Sequence, residues 1–286
     1  MRDTAQSNVV QSNAEQSHTA AFWNRLYCSD SRVLDMIPDE SVHLIVTSPP
    51  YNVGKKYSLH GDALPLHDYL GMLEGVWKEC RRILVRGGRL CVNVAGVDRQ
   101  PYIPLQSYIT QQLLALDFLM RGEIIWNKSV SVGVSTAWGS WCRPTNPTLR
   151  DVHEYILLFC KESFQTSHRG ESDLEGTQFV QMTKSIWEFP TTSAKKTGHP
   201  APFPLELPAR LINLFTFKDD VVLDPFMGSG TTCLAAKLLG RRWVGIDIDE
   251  SYVGLAHQRL QNDITNSYLA MRSIKGFTHG GRLECP

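Results

Sequence analysis

Two short motifs contain the residues of this chain whose types and spacing could do chemistry. The first is Thr-Ser-Pro-Pro-Tyr at 47–51, and the second is Asp-Pro-Phe-Met-Gly-Ser-Gly-Thr-Thr at 224–232. Each directly follows an apolar run typical of a buried strand, His-Leu-Ile-Val at 43–46 and Val-Val-Leu at 221–223. Both motifs should therefore lie where a strand ends, which is where open α/β sheets bind their ligands.

The first motif has the residue types needed to present an amine for reaction. An exocyclic amine on a base is a poor nucleophile because its lone pair is delocalised into the ring, and acceptors for both hydrogens make the nitrogen more tetrahedral. Ser48 Oγ and the Pro49 carbonyl are candidate acceptors, and Pro49 and Pro50 fix φ and so hold that carbonyl in place. Tyr51 offers an aromatic face to a flipped-out base, a contact worth on the order of 1–3 kcal/mol. An ordinary strand ending in a Pro-Pro turn is the simpler alternative.

The second motif has the form of a cofactor loop at the start of a helix. Gly228 and Gly230 permit positive φ and a close backbone approach, and the unpaired N–H groups of the following helix attract an anionic group. Asp247 ends the next strand, where its carboxylate can accept hydrogen bonds from ribose hydroxyls. No lysine precedes Thr231, so the motif differs from a phosphate-binding loop. The alternative is a tight turn with a solvated aspartate nearby.

Together the two motifs resemble those of the S-adenosylmethionine-dependent DNA amino-methyltransferases. The catalytic motif precedes the cofactor motif, as in the permuted "beta" class, and the resemblance covers about residues 22–262. It implies an α/β fold with a doubly wound, mostly parallel Rossmann-like sheet and an inserted target-recognition region. It also implies S-adenosyl-L-methionine as the cofactor, double-stranded DNA as the substrate, and direct methyl displacement without a covalent enzyme intermediate.

The same resemblance assigns roles to individual residues. The glycine loop would hold the methionine moiety and Asp247 the ribose, while Asp30 falls where the family carries an acidic residue near the adenine. The segment 199–204 matches the family's element that leads into the helix before the loop. The implied catalytic residues are Ser48, Pro49, Pro50 and Tyr51. The implied cofactor-binding residues are Asp30, His199, Pro200, Phe203, Asp224, Phe226, Gly228, Ser229, Gly230, Thr231, Thr232 and Asp247.

The target atom is favoured to be cytosine N4. Serine before the two prolines is the family feature associated with cytosine N4, whereas aspartate is usual for adenine N6. Carbon-5 methylation of cytosine uses a nucleophilic cysteine in a Pro-Cys pair, and none of the seven cysteines follows a proline. N6-adenine remains the main alternative. No separate general base is evident from the sequence.

The elements that must position these motifs alternate in the manner of an α/β sheet. We expect strands over 25–28, 42–47, 89–94, 123–126, 152–159, 221–223 and 243–248, and helices over 68–84, 105–119, 207–215, 231–239 and 252–260. A helical turn is expected between Asp30 and Pro38. The predicted organisation is a loose tail at 1–20, a catalytic half at 21–128, a target-recognition region at 129–198 with one core strand near 152–159, a cofactor half at 199–265, and a loose tail at 266–286.

The interval 129–198 has little helical or strand periodicity, and 161–178 shows none, which suits a region that reads DNA. Basic side chains there and beside the first motif are candidate phosphate contacts. Taken residue by residue, a solvated surface charge is the favoured alternative, and Lys55 and Lys56 are the best placed to meet a phosphate. The candidate DNA-binding residues are Lys55, Lys56, Lys128, Arg143, Lys195 and Lys196. Glu154, beside His153 on a predicted strand, is interpreted as structural.

Composition sets only broad bounds. The 286 residues are 42% hydrophobic and 20% charged with a formal net charge of zero, which fits a globular protein and decides nothing about DNA. The seven cysteines form no CxxC pair or His/Cys cluster, so we expect a reduced cytoplasmic setting and no metal site. No apolar run approaches the length of a membrane span, and the polar N-terminus lacks a signal core.

Partners and competing functions follow from the same resemblance. A homodimer is possible for this class, as is a cognate restriction endonuclease in the same restriction-modification system without a stable complex. A catalytically silent DNA-binding regulator with the same fold is the alternative from another functional class, and the intact Ser-Pro-Pro-Tyr motif argues against it. RNA or protein amide methylation is a further alternative, because similar Pro-Pro-Tyr elements serve those substrates.

Overall fold

Eight strands of the described chain form a single mixed sheet. A computed structural model describes residues 21–52, 64–98, 101–131, 139–192 and 203–262. The strands are β1 Arg25–Cys28, β2 Val42–Thr47, β3 Leu84–Val94, β4 Phe118–Asn127, β5 His153–Lys161, β6 Ile186–Glu188, β7 Val221–Asp224 and β8 Arg242–Asp247. The helices are α1 Leu66–Ile83, α2 Leu105–Ala115, α3 Gly176–Met182, α4 Glu206–Phe215, α5 Thr231–Leu238 and α6 Glu250–Asn262, with a 3₁₀ turn at Ser129–Ser131. None of the helices within these ranges is both long and apolar enough to span a bilayer.

The sheet order makes neighbours of two strands that are far apart in sequence. The order is β1-β8-β7-β2-β3-β5-β4-β6. Strand β5 runs antiparallel to both of its neighbours, and the other adjacent pairs are parallel. In the β2–β7 pair, Leu44 lies opposite Val222 and Ile45 opposite Leu223. The carboxyl ends of β2 and β7, which carry the two motifs, therefore lie side by side.

Both faces of the sheet are covered, which explains why its central strands are apolar throughout. Side chains alternate along β2, so Ile45 packs into the core under α1 and α2 while Leu44 and Val46 pack into the core under α4 and α5. Helix α1 buries a stripe at helical spacing that includes Leu73 and Trp77. The predicted α/β class and the mostly parallel sheet are confirmed.

Two predicted helix ends were wrong. The helix expected over 68–84 ends at Ile83 because Leu84 already has extended backbone and pairs with Val42. The expected stop at 87–88 lies inside β3 instead, where Gly87 has φ +77° and approaches Gln165 too closely to admit a Cβ. The helix expected over 105–119 ends at Ala115, since Asp117 adopts φ 58° and turns the chain into β4. Residues 30–38 form turns and contain no helical residue, so the helical turn expected there is not present.

The segment after β5 contains structure that periodicity did not predict. Helix α3 begins at a capping box in which Glu175 and Gln178 bond each other's backbone N–H groups. Strand β6 then adds to the edge of the sheet beside β4. The Trp187 side chain is almost fully buried and donates from Nε1 to the Met182 carbonyl at 3.1 Å. Part of the predicted recognition region thus belongs to the main sheet and its core.

Candidate active site

A buried carboxylate joins the two motifs at the carboxyl ends of β2 and β7. Asp224 Oδ1 accepts from Thr47 Oγ1 at 2.7 Å and from the Phe226 N–H at 3.0 Å. Its Oδ2 accepts from Thr232 Oγ1 at 2.8 Å. Burial raises the pKa of Asp224 to about 6, although these three hydrogen bonds favour the charged form. Since the side chain is fully buried, it shapes the two loops from beneath, and its predicted cofactor contact remains a prediction.

The loop between β7 and α5 has the geometry of a cofactor cradle. Gly228 and Gly230 have φ values of 48° and 76°, as their predicted role requires. A Cβ on Gly230 would lie 2.9 Å from Ala256 Cβ, so α6 packs directly against the loop. The Gly228 N–H donates to Asp247 Oδ2 at 2.9 Å, and burial raises the pKa of Asp247. The loop thus offers a helix N-terminus for an anionic group beside a carboxylate suited to hydroxyls.

Arg259 supports this loop, and sequence analysis did not identify it. Its guanidinium donates to the Ser229 carbonyl at 2.6 Å, to Ser229 Oγ at 2.7 Å and to Thr231 Oγ1 at 3.2 Å. The hydroxyl groups of Ser229 and Thr231 are therefore buried against α6. Their predicted contact with the methionine moiety would have to use backbone atoms unless these bonds rearrange. An arginine in the last turn of a helix gives no local sequence signal for such a role.

The remaining predicted cofactor residues are placed in different settings. Asp30 lies just beyond β1, which pairs with β8 so that Cys28 is opposite Asp247. Hydrogen bonds from Arg32 hold the pKa of the Asp30 carboxyl below its usual range. Phe203 and Phe226 are partly buried against the two cores. His199 and Pro200 lie outside the described residues.

A polar network extends from the catalytic motif to a carboxylate on β5. Ser48 Oγ lies 3.2 Å from Tyr51 Oη, which lies 3.1 Å from Glu154 Oε2. Asn93 Nδ2, on β3, donates to Glu154 Oε2 at 2.6 Å and to Tyr51 Oη at 3.2 Å. Lys128 Nζ lies 2.6 Å from Glu154 Oε1. Glu154 was interpreted as structural and Asn93 was not singled out, yet both contact the predicted catalytic residues.

The electrostatics of the network keep the tyrosine neutral. The pKa of Tyr51 lies well above its usual value, chiefly because the hydroxyl is buried and also because the Glu154 charge is close. Asn93 is 2% exposed, and its Oδ1 has no hydrogen-bond partner among the described residues. A buried amide oxygen of this kind can accept a hydrogen bond from a bound amine.

Two of the six predicted DNA-binding residues, Lys128 and Arg143, lie within the described residues. The Lys128 side chain is 17% exposed and paired with Glu154, so its charge lies within the site, and its phosphate contact stays a prediction. Arg143 is exposed in the segment that follows Gly139. Lys55, Lys56, Lys195 and Lys196 lie outside the described residues.

A second cluster of polar side chains lies at the opposite, amino-terminal edge of the sheet. His168 Nε2 lies 2.7 Å from Asp220 Oδ1, and His43 Nε2 lies 3.5 Å from the same atom. The Val221 N–H donates to His43 Nδ1 at 3.1 Å, so the ring's lone pair is occupied and Nε2 carries the proton in the neutral ring. Burial lowers the pKa of His43, which favours that neutral form. These three side chains therefore form a hydrogen-bonded cluster and not a metal site, because the neutral His43 ring has no lone pair left to bind a metal ion.

Comparison with known proteins agrees with the motifs. The profile of a family described as DNA methylase, covering N6 and N4 enzymes, matches residues 42–258. Type II methyltransferase M.MjaVI from Methanocaldococcus jannaschii is 36% identical over 61% of this chain and 92% of its own. Type II methyltransferase M.MthZI from Methanothermobacter thermautotrophicus is 30% identical over 88% of this chain and 80% of its own. The structure of TTHA0409 from Thermus thermophilus complexed with S-adenosyl-L-methionine is 33% identical, covers 84% of this chain and 94% of its own, and superimposes with a TM-score of 0.67.

Proposed function

The chain belongs to the N6/N4 DNA methylase family and is a DNA methyltransferase that uses S-adenosyl-L-methionine, and from this premise we propose that it methylates cytosine N4 at one short site in duplex DNA. The family includes N6-adenine enzymes as well, so the target atom must be argued from the site. The names of M.MjaVI and M.MthZI place both in type II systems, and we extend a restriction-modification role to this chain.

The observation that carries the proposal is the bridge between Thr47 and Thr232 through the Asp224 carboxylate. It fixes Ser48, the next residue along the chain, beside the start of the glycine loop. An amine held at the first motif would then face a methyl group held at the second. Such positioning removes most of the entropic barrier to a direct displacement.

Individual residues take the following roles. The glycine loop and Asp247 bind the cofactor, which supplies an electrophilic methyl group when bound. Ser48 Oγ and the Pro49 carbonyl accept the two hydrogens of the target amine, and the ring of Tyr51 contacts the flipped base. The partly buried Tyr51 ring packs against the core on one side, which would hold it ready for that contact.

Serine at position 48 supports N4-cytosine over N6-adenine. A neutral hydroxyl group stands where adenine enzymes usually carry aspartate, and the carboxylate of this site is instead Glu154, which reaches the motif through Tyr51. N6-adenine methylation remains the alternative and would use the same fold, cofactor and residues.

DNA would approach the carboxyl edge of the sheet, where the site opens. Lys55 and Lys56 lie four and five residues after Tyr51 and are the proposed contacts to the phosphate beside the flipped nucleotide. Lys195, Lys196 and Arg143 are proposed to contact phosphates farther along the duplex. A homodimer and a separate cognate endonuclease belong to this proposal as well.

The test is base-resolved methylation sequencing of duplex DNA treated with the purified protein and S-adenosyl-L-methionine. N4-methylcytosine at one short motif is expected, and N6-methyladenine would overturn the assignment of Ser48. Ser48→Ala should abolish methylation with cofactor affinity nearly unchanged. An unmethylated duplex that is nevertheless bound site-specifically by the wild-type protein would point to the silent DNA-binding regulator.

A further inference from the structure

The directions of the hydrogen bonds beside Ser48 follow from the chemistry of Glu154. An ionised carboxylate can only accept, so the Tyr51 hydroxyl must donate to Glu154 Oε2 across the 3.1 Å contact. The Tyr51 oxygen then has lone pairs for the Ser48 hydroxyl, which lies 3.2 Å away. Asn93 Nδ2 lies 3.5 Å from Ser48 Oγ and occupies at most one of its two lone pairs, so the other is available to a donor from the substrate. Each proton in this chain already points toward Glu154.

We propose that Ser48, Tyr51 and Glu154 form a proton relay, with Glu154 as the final acceptor of the proton that the methylated amine must lose. This inference rests on the proposed function and supplies the base that no sequence motif revealed. Tyr51 links two groups in the relay in addition to contacting the base.

The relay balances in atoms and charge. The amine nitrogen forms a bond to the methyl carbon as the carbon–sulfur bond breaks, and the nitrogen becomes a cation. Its proton passes to Ser48 Oγ, the Ser48 proton passes to Tyr51 Oη, and the Tyr51 proton passes to Glu154 Oε2. The products are a neutral methylamine, a neutral thioether and a carboxylic acid. A sulfonium and a carboxylate charge are thereby both removed from a partly buried site, where separated charges are unfavourable.

The neighbours of Glu154 suit a terminal acceptor. The Lys128 ammonium group pairs with Oε1 at 2.6 Å, and Asn93 donates to Oε2 beside Tyr51 without adding charge. The raised pKa of Tyr51 means that it passes a proton on as a neutral phenol and does not store a charge. Side-chain exposures of 14% for Glu154 and 17% for Lys128 give the transferred proton a route to water.

The experiment measures single-turnover methyl transfer as a function of pH, with cofactor and duplex affinities measured separately. Glu154→Gln retains a hydrogen-bond acceptor for Tyr51 but cannot take up the proton, so we expect a rate about 100-fold lower and loss of the rise with pH that carboxylate ionisation produces. Cofactor and duplex affinities should stay within about 2-fold, well below the tenfold that corresponds to about 1.4 kcal/mol. Glu123→Gln is the matched control, because Glu123 is exposed on the neighbouring strand β4, and it should behave as the wild type.

Tyr51→Phe removes the hydroxyl group in the middle of the relay and keeps the aromatic ring. If the relay is one path, the double variant with Glu154→Gln should be no slower than the slower single variant. Multiplying effects would show independent roles and overturn the relay. A Glu154→Gln rate and pH profile equal to those of Glu123→Gln would also overturn it.

Lys128→Met keeps the test decisive if Glu154→Gln does not fold. Removing the ammonium group that pairs with Oε1 leaves the acceptor carboxylate without the partner that holds it in place, so the single-turnover rate at saturating duplex should fall. A rate equal to that of the wild type would refute the relay. If the wild-type protein methylates no DNA at all, the proposed function itself fails, and this outcome is distinct from a relay failure in an active enzyme.

Discussion

Asp224→Asn tests the electrostatics beneath the active site. Asparagine has the shape of the aspartate and can keep its partners, because Oδ1 still accepts from Thr47 and from the Phe226 N–H. Its amide group can donate to Thr232 Oγ1, which then turns its own proton to the Val46 carbonyl, 3.3 Å away. The substitution therefore removes an ionisable group and leaves the hydrogen bonds satisfied.

The expected change in the free energy of unfolding follows from the pKa of Asp224. The pKa of Asp224 is raised from 3.8 to about 6 in the folded protein. Between those two values the folded state holds a proton that the unfolded state has released, so stability falls as the pH rises through this window. A difference of about 2 units at 1.36 kcal/mol each amounts to about 3 kcal/mol, all of it lost above pH 6. The asparagine variant cannot lose this stability.

Urea unfolding of the apo protein, followed by tryptophan fluorescence from pH 4 to 7, measures the effect. The wild-type free energy of unfolding should fall by about 2.5 kcal/mol relative to the variant across this range, because the unfolded carboxyl is already partly ionised at pH 4. Taking the difference cancels the contributions of groups that do not interact with Asp224. Asp35→Asn, an exposed control, should run parallel to the wild type. Parallel curves for Asp224→Asn would refute the reasoning.

Three further substitutions test the loop and the scaffold. Gly230→Ala should destabilise the fold by about 1–2 kcal/mol because residue 230 has a left-handed backbone conformation. Overlap of the new Cβ with Ala256 should add about 1–3 kcal/mol. A urea midpoint equal to that of the wild type would contradict the close packing of α6 against the loop. Asp247→Ala should weaken S-adenosyl-L-methionine binding about 10- to 100-fold, because it removes charged hydrogen bonds worth about 1.5–3 kcal/mol. If calorimetry gives an unchanged Kd, Asp247 is not part of the cofactor site. Arg241→Met removes the fully buried cation of the ion pair with Asp173 and should cost about 3–5 kcal/mol of stability. A smaller loss on urea denaturation would contradict this cost.

The sequence predicted the strands that carry the motifs because their apolar runs are sharply bounded. Strand β2 ends at Thr47, two residues before the first proline, and β7 ends at Asp224, the first residue of the glycine-loop motif. That these two strand ends are neighbours is a finding of the structure, from the β2–β7 register. The residues from 161 to 188 were harder, because a helix of seven residues and a strand of three are too short to establish a period.

The missed residues of the site have no local signal. Arg259 lies in an ordinary amphipathic helix, and only the packing of α6 against Gly230 brings it to Ser229. Asn93 occupies an inward position of an apolar strand, where a single polar residue looks like a tolerated exception. Its significance appears only when the Glu154 carboxylate is found 2.6 Å away.

Sheet direction explains why the contact between Glu154 and Tyr51 was not expected from the sequence. In a parallel sheet, candidate residues are sought where strands end, and Glu154 stands at the second position of β5. Because β5 runs antiparallel to β3, with Ile156 opposite Asn93, its beginning lies at the edge where β2 and β3 end. Strand β4 is antiparallel to β5 and so parallel to β3, which brings Lys128, the residue after β4, to the same edge. A strand that reverses direction thus supplies its first residues to the site, and this topology places the charged end of the proposed relay beside Tyr51.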